Sequence, residues 1–166
     1  MFEIEVKPGH RIVSKTDRTG KVLSGNDKFF EYSGYPEGEI IGQPHSILRH
    51  QDMPKIVFKL LWDKIRHGMS VNAFVKNRRK DGGYYWVYAS VTPSVNKNSG
   101  EIDGYFSIRK RANPDAVRGV IELYDELKEL EEKEGYQAAK AALRAFLDKN
   151  DMKFNDLMSR IQAQGV

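Results

Sequence analysis

"VNAFVKNRRKDGGYYWVYASVTPSVNKNSGEIDGYFSIRKR", residues 71–111, decides the fold. Three runs rich in β-branched and aromatic residues, Val71 to Lys80, Tyr84 to Pro93 and Glu101 to Arg111, read as strands. They are separated by "DGG" at 81–83 and the polar "NKNSG" at 96–100, both turn-forming. Two hairpins in succession make a three-stranded antiparallel meander.

Upstream, "PKIVFKLLWDKIRHG" at 54–68 is the clearest helix of the first half. Ile56, Phe58, Leu60, Leu61 and Ile65 are its apolar positions, Asp52 is placed to cap its start, and Gly68 follows its end. Before it, "RIVSKTD" and "KVLS" read as two short strands joined by a turn from Asp17 to Gly20. Asn26 can cap a short helix carrying Phe29, Phe30 and Tyr32, which Gly34 stops. Five strands and these helices predict an α+β fold: a five-stranded antiparallel sheet, helices covering one face, and a pocket between the two layers.

After "ANPDAV" the pattern becomes helical. Asn113 and Pro114 form a cap and first turn, and Val117, Val120, Tyr124 and Leu127 follow at helical spacing until Gly135. Two further helices, "YQAAKAALRAFLDKN" and "FNDLMSRIQAQ", place Ala139, Leu143, Phe146, Leu157 and Ile161 on apolar faces. The expected division is an N-terminal segment at 1–10, a domain at 11–112 and a helical C-terminal extension at 113–166. Nothing in the extension has catalytic spacing, so it serves packing, dimerisation or docking.

The 166 residues are 40% hydrophobic and 30% charged, a soluble globular mixture. The absence of cysteine excludes disulfides, thiolate metal sites and cysteine nucleophiles, and fits a cytoplasmic protein. No apolar stretch approaches the roughly 20 residues needed to cross a bilayer, so a membrane role is expected to run through a partner. The net charge of +4 rests partly on Lys76, Arg78, Arg79 and Lys80 and on Arg109, Lys110 and Arg111. These lie on strands, where a charged solvent face is the expected reading. No helix-turn-helix, zinc-finger or RNA-binding aromatic pattern accompanies them, so no nucleic-acid partner is expected.

The loop "GQPHSILRHQDMP", 42–54, carries His45, Arg49, His50 and Asp52 into the start of the long helix. Cationic side chains beside a helix N-terminus suit an anion. Composition alone would make Arg49 and His50 a surface loop paired with nearby acids. His45 and His50 have no third ligand at metal-binding spacing, so no metal site is expected.

Three motifs in order, "GQPHSILRHQDMPK", "VKNRRKDGGYYWV" and "GYFSIRKRA", resemble the FAD-binding PAS domain of the Aer-type aerotaxis and energy-taxis sensors, over roughly residues 12 to 112. The whole chain resembles the PAS half of split energy-taxis systems, whose signalling module is a separate membrane chemoreceptor. The resemblance implies a PAS fold, FAD as cofactor, a membrane-bound chemoreceptor-type signalling partner, possible homodimerisation and a place at the inner face of the membrane. It implies sensing rather than enzymatic turnover. Its cofactor residues fall on Asn26, Arg49, His50 and Asp52.

Where the family has a tryptophan early in the strand after the long helix, this chain has Val71. His45 stands where the light-sensing branch of PAS domains has its reactive cysteine, which excludes flavin–cysteinyl photochemistry here. Asn77 falls on an asparagine of that branch. Its strand phase turns it away from the water-facing Lys76 and Arg78, toward a flavin's pyrimidine edge. Asp52 caps the helix or accepts from a ribose hydroxyl, and both roles are open. Trp62 is read as a pocket wall, and Trp86 as a core or sheet-face aromatic. Haem held by His50, and a cofactor-free or small-metabolite-binding PAS interaction or dimerisation module, remain the alternatives to flavin.

Overall fold

The computed structural model describes residues 2–164. The elements run β1 (Ile12–Asp17), β2 (Val22–Gly25), α1 (Asp27–Ser33), α2 (Glu37–Ile40), a 3-10 turn (His45–Leu48) and α3 (Lys55–Arg66). Then follow β3 (Val71–Arg78), β4 (Tyr84–Val95), β5 (Ile102–Arg111), α4 (Pro114–Glu134), α5 (Tyr136–Lys149) and α6 (Phe154–Gln164). One antiparallel sheet holds all five strands in the order β2-β1-β5-β4-β3.

The expected meander is present, and it closes against β1 through six residue pairs from Ile12↔Arg109 to Asp17↔Gly104. That long-range pairing puts the first hairpin at one edge and β3 at the other. Asn26 does cap α1: its Oδ1 accepts from the Phe29 and Val13 N–H groups, while its Nδ2 donates to the Arg11 carbonyl. Gly34 ends α1 at φ 74°, where an L side chain would be strained.

One face of the sheet turns Val75, Asn77, Ala89, Tyr105, Ser107 and Arg109 toward α3, which answers with Phe58, Leu61, Trp62 and Ile65. The other face carries Phe74, Trp86 and Tyr88, and the C-terminal extension covers part of it. Tyr124 of α4 donates its hydroxyl to the Phe74 carbonyl at 2.6 Å and lies 6.2 Å from the Trp86 ring. Asn155 at the start of α6 satisfies edge strand β3, accepting from the Asn72 N–H at 2.9 Å and donating to the Ser70 carbonyl at 2.8 Å. Ala116, Val120, Tyr124, Leu127, Ala139, Leu143, Phe154, Leu157 and Met158 are all buried there, so the extension is packed onto the sheet rather than held away from it.

The first residues join in as well. The Ile4 N–H donates to the Tyr84 carbonyl and the Tyr84 N–H to the Phe2 carbonyl, so residues 2–4 line the start of β4. No helix among the described residues is long and apolar enough to cross a membrane.

Candidate functional site

Between the sheet and α3 lies a cavity of about 390 Å³, near the lower end of the size range of small-molecule sites. Its apolar walls are Phe58, Leu61, Trp62, Ile65, Val75, Ala89 and Val91. Four arginines line it, Arg18, Arg49, Arg66 and Arg109, and no aspartate or glutamate does. None of the four makes an ion pair among the described residues. A pocket wall with this charge is built for an electron-rich or anionic occupant.

Arg109 is the residue that the sequence reading misplaced. The basic run Arg109, Lys110 and Arg111 predicts a charged solvent face, yet Arg109 is 3% exposed while its apolar neighbour Ile108 is 40% exposed. The inward phase of β5 is Tyr105, Ser107 and Arg109, polar because it faces a cavity instead of a packed core. Arg109 donates from Nη2 to Ser14 Oγ at 2.7 Å, and from Nη1 to Ser107 Oγ and His45 Nε2 at 3.1 Å each. Its Nε is buried with no partner. Burial pulls its pKa down to about 10, so it stays a cation at neutral pH.

His45 is positioned by the 3-10 turn and by its own N–H, which donates to the Gly20 carbonyl at 2.9 Å. Because Arg109 can only donate, His45 Nε2 must accept, which fixes the neutral imidazole with its proton on Nδ1. Burial first, and then the Arg109 charge, hold the His45 pKa down at about 3. Asn77 is 4% exposed and faces inward, as its strand phase required. Beside it, the Tyr85 hydroxyl is buried without a hydrogen-bond partner, and burial raises that phenol to about 12 against the opposing pull of the Arg109 charge.

The structure therefore brings His45, Arg49, Trp62 and Asn77 together on the cavity and leaves Asn26, His50 and Asp52 outside its lining. Arg49 stacks its guanidinium over the Phe58 ring at 3.8 Å, with an exposed side chain. Trp62 meets Tyr105 edge-on at 5.3 Å. His50, by contrast, is 1% exposed. Its Nδ1 accepts from the Asp52 N–H at 3.0 Å, which puts the ring proton on Nε2, buried and unpartnered. Burial and the nearby Lys76 charge depress its pKa.

Two expectations about the helix start are corrected. Asp52 does not cap α3: the cap position is Pro54, and the Asp52 carboxylate pairs with Lys76 Nζ at 2.7 Å, which lowers its pKa. Nor is the α3 N-terminus free for an anion. Glu131 of α4 reaches it across the molecule, accepting from the Lys55 N–H at 2.9 Å and the Ile56 N–H at 2.6 Å. The helix dipole is thus already met by a carboxylate of the chain itself. Lys128 adds a bond from Nζ to the Gln51 carbonyl at 2.7 Å, so α4 holds the loop that carries Arg49.

The sequence that builds the sheet, α3 and the cavity between them matches, over residues 22–109, a known family described as the PAS fold. The chain belongs to the PAS fold family. It is 42% identical over 116 residues to the aerotaxis receptor of Escherichia coli strain K12, a match spanning 70% of this chain and 22% of that receptor. It is 24% identical to a nitrogen fixation regulatory protein of Klebsiella oxytoca, over 66% of this chain and 22% of that protein. The PAS chain thus spans about a fifth of the length of these relatives.

Among solved structures, a light-oxygen-voltage domain studied with a flavin analogue aligns with TM-score 0.61 at 15% identity, covering 68% of this chain and 85% of that one. The light-state Aureochrome1 photoreceptor domain aligns at 0.57 with 20% identity, covering 71% and 91%. At these identities the likeness is one of fold.

Proposed function

We propose that this PAS protein is a redox sensor that binds FAD in the cavity and passes the flavin's state to a membrane-bound chemoreceptor-type signalling protein. The observation that carries the reading is the wall chemistry. Four arginines with no ion pair among the described residues, no carboxylate, and a buried Arg109 Nε without a partner suit an acceptor-rich, anionic ligand. The likeness to an aerotaxis receptor points the same way.

When bound, a flavin supplies a ring whose electron uptake changes the charge and protonation of its edge. The residues of the chain are arranged to register such a change. Arg109 places a fixed positive charge where water is excluded, and so favours negative charge beside it. His45, locked neutral by Arg109, transmits any movement of that guanidinium to the 3-10 turn. Asn77 offers both donor and acceptor from its amide, and its backbone bridges to Arg49, linking the sheet to the loop. Arg49 would hold the phosphate end and Trp62 the wall. Asn26, His50 and Asp52 act from outside the cavity by fixing β1 to α1 and the loop to β3.

Sensing is favoured over turnover because a cavity of this size, once filled by a ring system, leaves no room for a second reactant. The proposed setting is the inner face of the membrane, reached through the receptor partner, with a homodimer as the possible assembly. Absorbance of the purified protein and chromatography of the released cofactor test the proposal. FAD bands without NADH oxidation at enzymatic rates support it. A colourless protein returns the reading to a cofactor-free interaction module.

A further inference from the structure

Resting on that reading, we infer that Arg18 and Arg66, with Trp62 between them, bind the part of FAD that FMN and riboflavin lack, and so select the dinucleotide. Phe58, Trp62 and Arg66 are spaced four residues apart on α3 and form one stripe along the cavity rim, about 12 Å from first to last at 1.5 Å per residue. Arg49 sits over Phe58 at one end of the stripe, and Arg66 lies over the Trp62 ring, 5.3 Å from its centroid, at the other. Arg18 lines the same cavity from the β1–β2 turn, whose Gly20 closes onto the Trp62 ring.

Both arginines are free to bind an anion. Asp17, next to Arg18, spends its Oδ1 on the Thr19 N–H, the Thr19 hydroxyl and the Lys21 N–H inside its own turn. Asp63, one turn before Arg66, lies 3.7 Å from His67 Nδ1 instead. The turn is also shaped around the tryptophan. Gly20 has φ +92°, and a Cβ there would come within 3.2 Å of the Trp62 ring, so glycine lets the turn close onto the indole.

The cavity's size argues for what these groups hold. About 390 Å³ accommodates a ring system and not a whole dinucleotide, so the diphosphate and adenosine lie along the rim. There the second phosphate meets the Arg66 and Arg18 guanidiniums, and the adenine finds the Trp62 and Arg66 planes.

The test measures the affinity of flavin-stripped protein for FAD, FMN and riboflavin by quenching of flavin fluorescence. Arg18→Ala and Arg66→Ala should weaken FAD by about tenfold or more each, while FMN and riboflavin change by less than about twofold. Arg66→Lys should recover part of the FAD loss, and thermal melts of the apo variants should match wild type because both side chains are exposed. Equal losses for all three ligands, or FAD affinity unchanged in both variants, would overturn the inference while leaving the flavin site intact. Failure of the wild type to bind any flavin overturns the site assignment itself.

Discussion

The two faces of the sheet solve opposite problems. The face under α4 and α6 is packed where they cover it, with Trp86 against Tyr124 and the Phe74 carbonyl bonded to the Tyr124 hydroxyl. The face under α3 is hollow and keeps a buried, unpaired Arg109 beside a neutral His45 and an orphaned Tyr85 hydroxyl. A buried cation with no carboxylate is costly to keep, so the inner face is organised for a ligand and the outer face supplies the stability that tolerates it. Mutations should therefore separate: outer-face changes cost folding and cofactor together, inner-face changes cost cofactor alone.

The largest effect is expected at the outer face. Ending the chain at Ala112 strips Tyr124, Leu127, Phe154 and Leu157 from the sheet, and the product should aggregate or unfold. Leu127→Ala, which leaves a cavity at a residue 1% exposed, should lower urea-unfolding stability by about 2–5 kcal/mol. A truncated chain that folds and retains flavin would show that the two faces are independent.

Arg109→Met makes the opposite prediction. Replacing the buried cation by an apolar side chain of similar length should leave apo stability unchanged or raise it, because the desolvation cost of the charge goes with its bonds, while flavin retention falls. Lower apo stability by urea unfolding would mean that the Ser14, Ser107 and His45 bonds hold the fold and that the inner face is not specialised for a ligand.

A smaller effect belongs to the seam between the faces. Glu131→Ala removes the acceptor for the Lys55 and Ile56 N–H groups and should cost about 1–2 kcal/mol, the value of a helix cap. Hydrogen exchange should then quicken at Lys55 and Ile56 and in the 49–54 loop. Protection unchanged there would detach α4 from the loop.

Titration gives the most specific effect. His45 is held at about 3 against its ordinary 6.5, so below pH 6.5 the unfolded chain takes up a proton that the native state refuses. Stability should fall as pH drops from about 6.5 toward 3, and the depressed His50 adds to the same slope. Asp17 and Asp52, held low, lose their contributions only below the usual 3.8, so above the carboxylate range the slope belongs to the histidines. His45→Gln should flatten part of it when urea midpoints at about pH 7 and about pH 5 are compared. An identical slope in the variant would place His45 in contact with water.

How far the sequence revealed these faces depends on where each signal lay. The meander was legible because "DGG" and "NKNSG" are local turn signals, and the α1 cap because Asn26 lies three residues from the N–H it binds. Asn77 was placed inward correctly by strand phase. Arg109 was not, because alternation assigns Phe106 and Ile108 to the core, whereas a strand that walls a cavity inverts the rule. Its sharing a phase with Tyr105 and Ser107 was the available hint. The Glu131 cap was out of reach: its partner N–H groups lie 75 and 76 residues away, and no local pattern encodes that meeting. Asp52, the nearer acid, was claimed by Lys76 from β3 instead.

The most direct measurement is the identity and amount of cofactor released from freshly purified wild-type protein and from Arg109→Met, each normalised to protein. The account predicts FAD in equal amount to the wild-type chain and a clear deficit in a variant that melts at or above the wild-type apo temperature. Colourless wild-type protein, or full FAD occupancy in Arg109→Met, would contradict the claim that the hollow, arginine-lined face exists to hold a flavin.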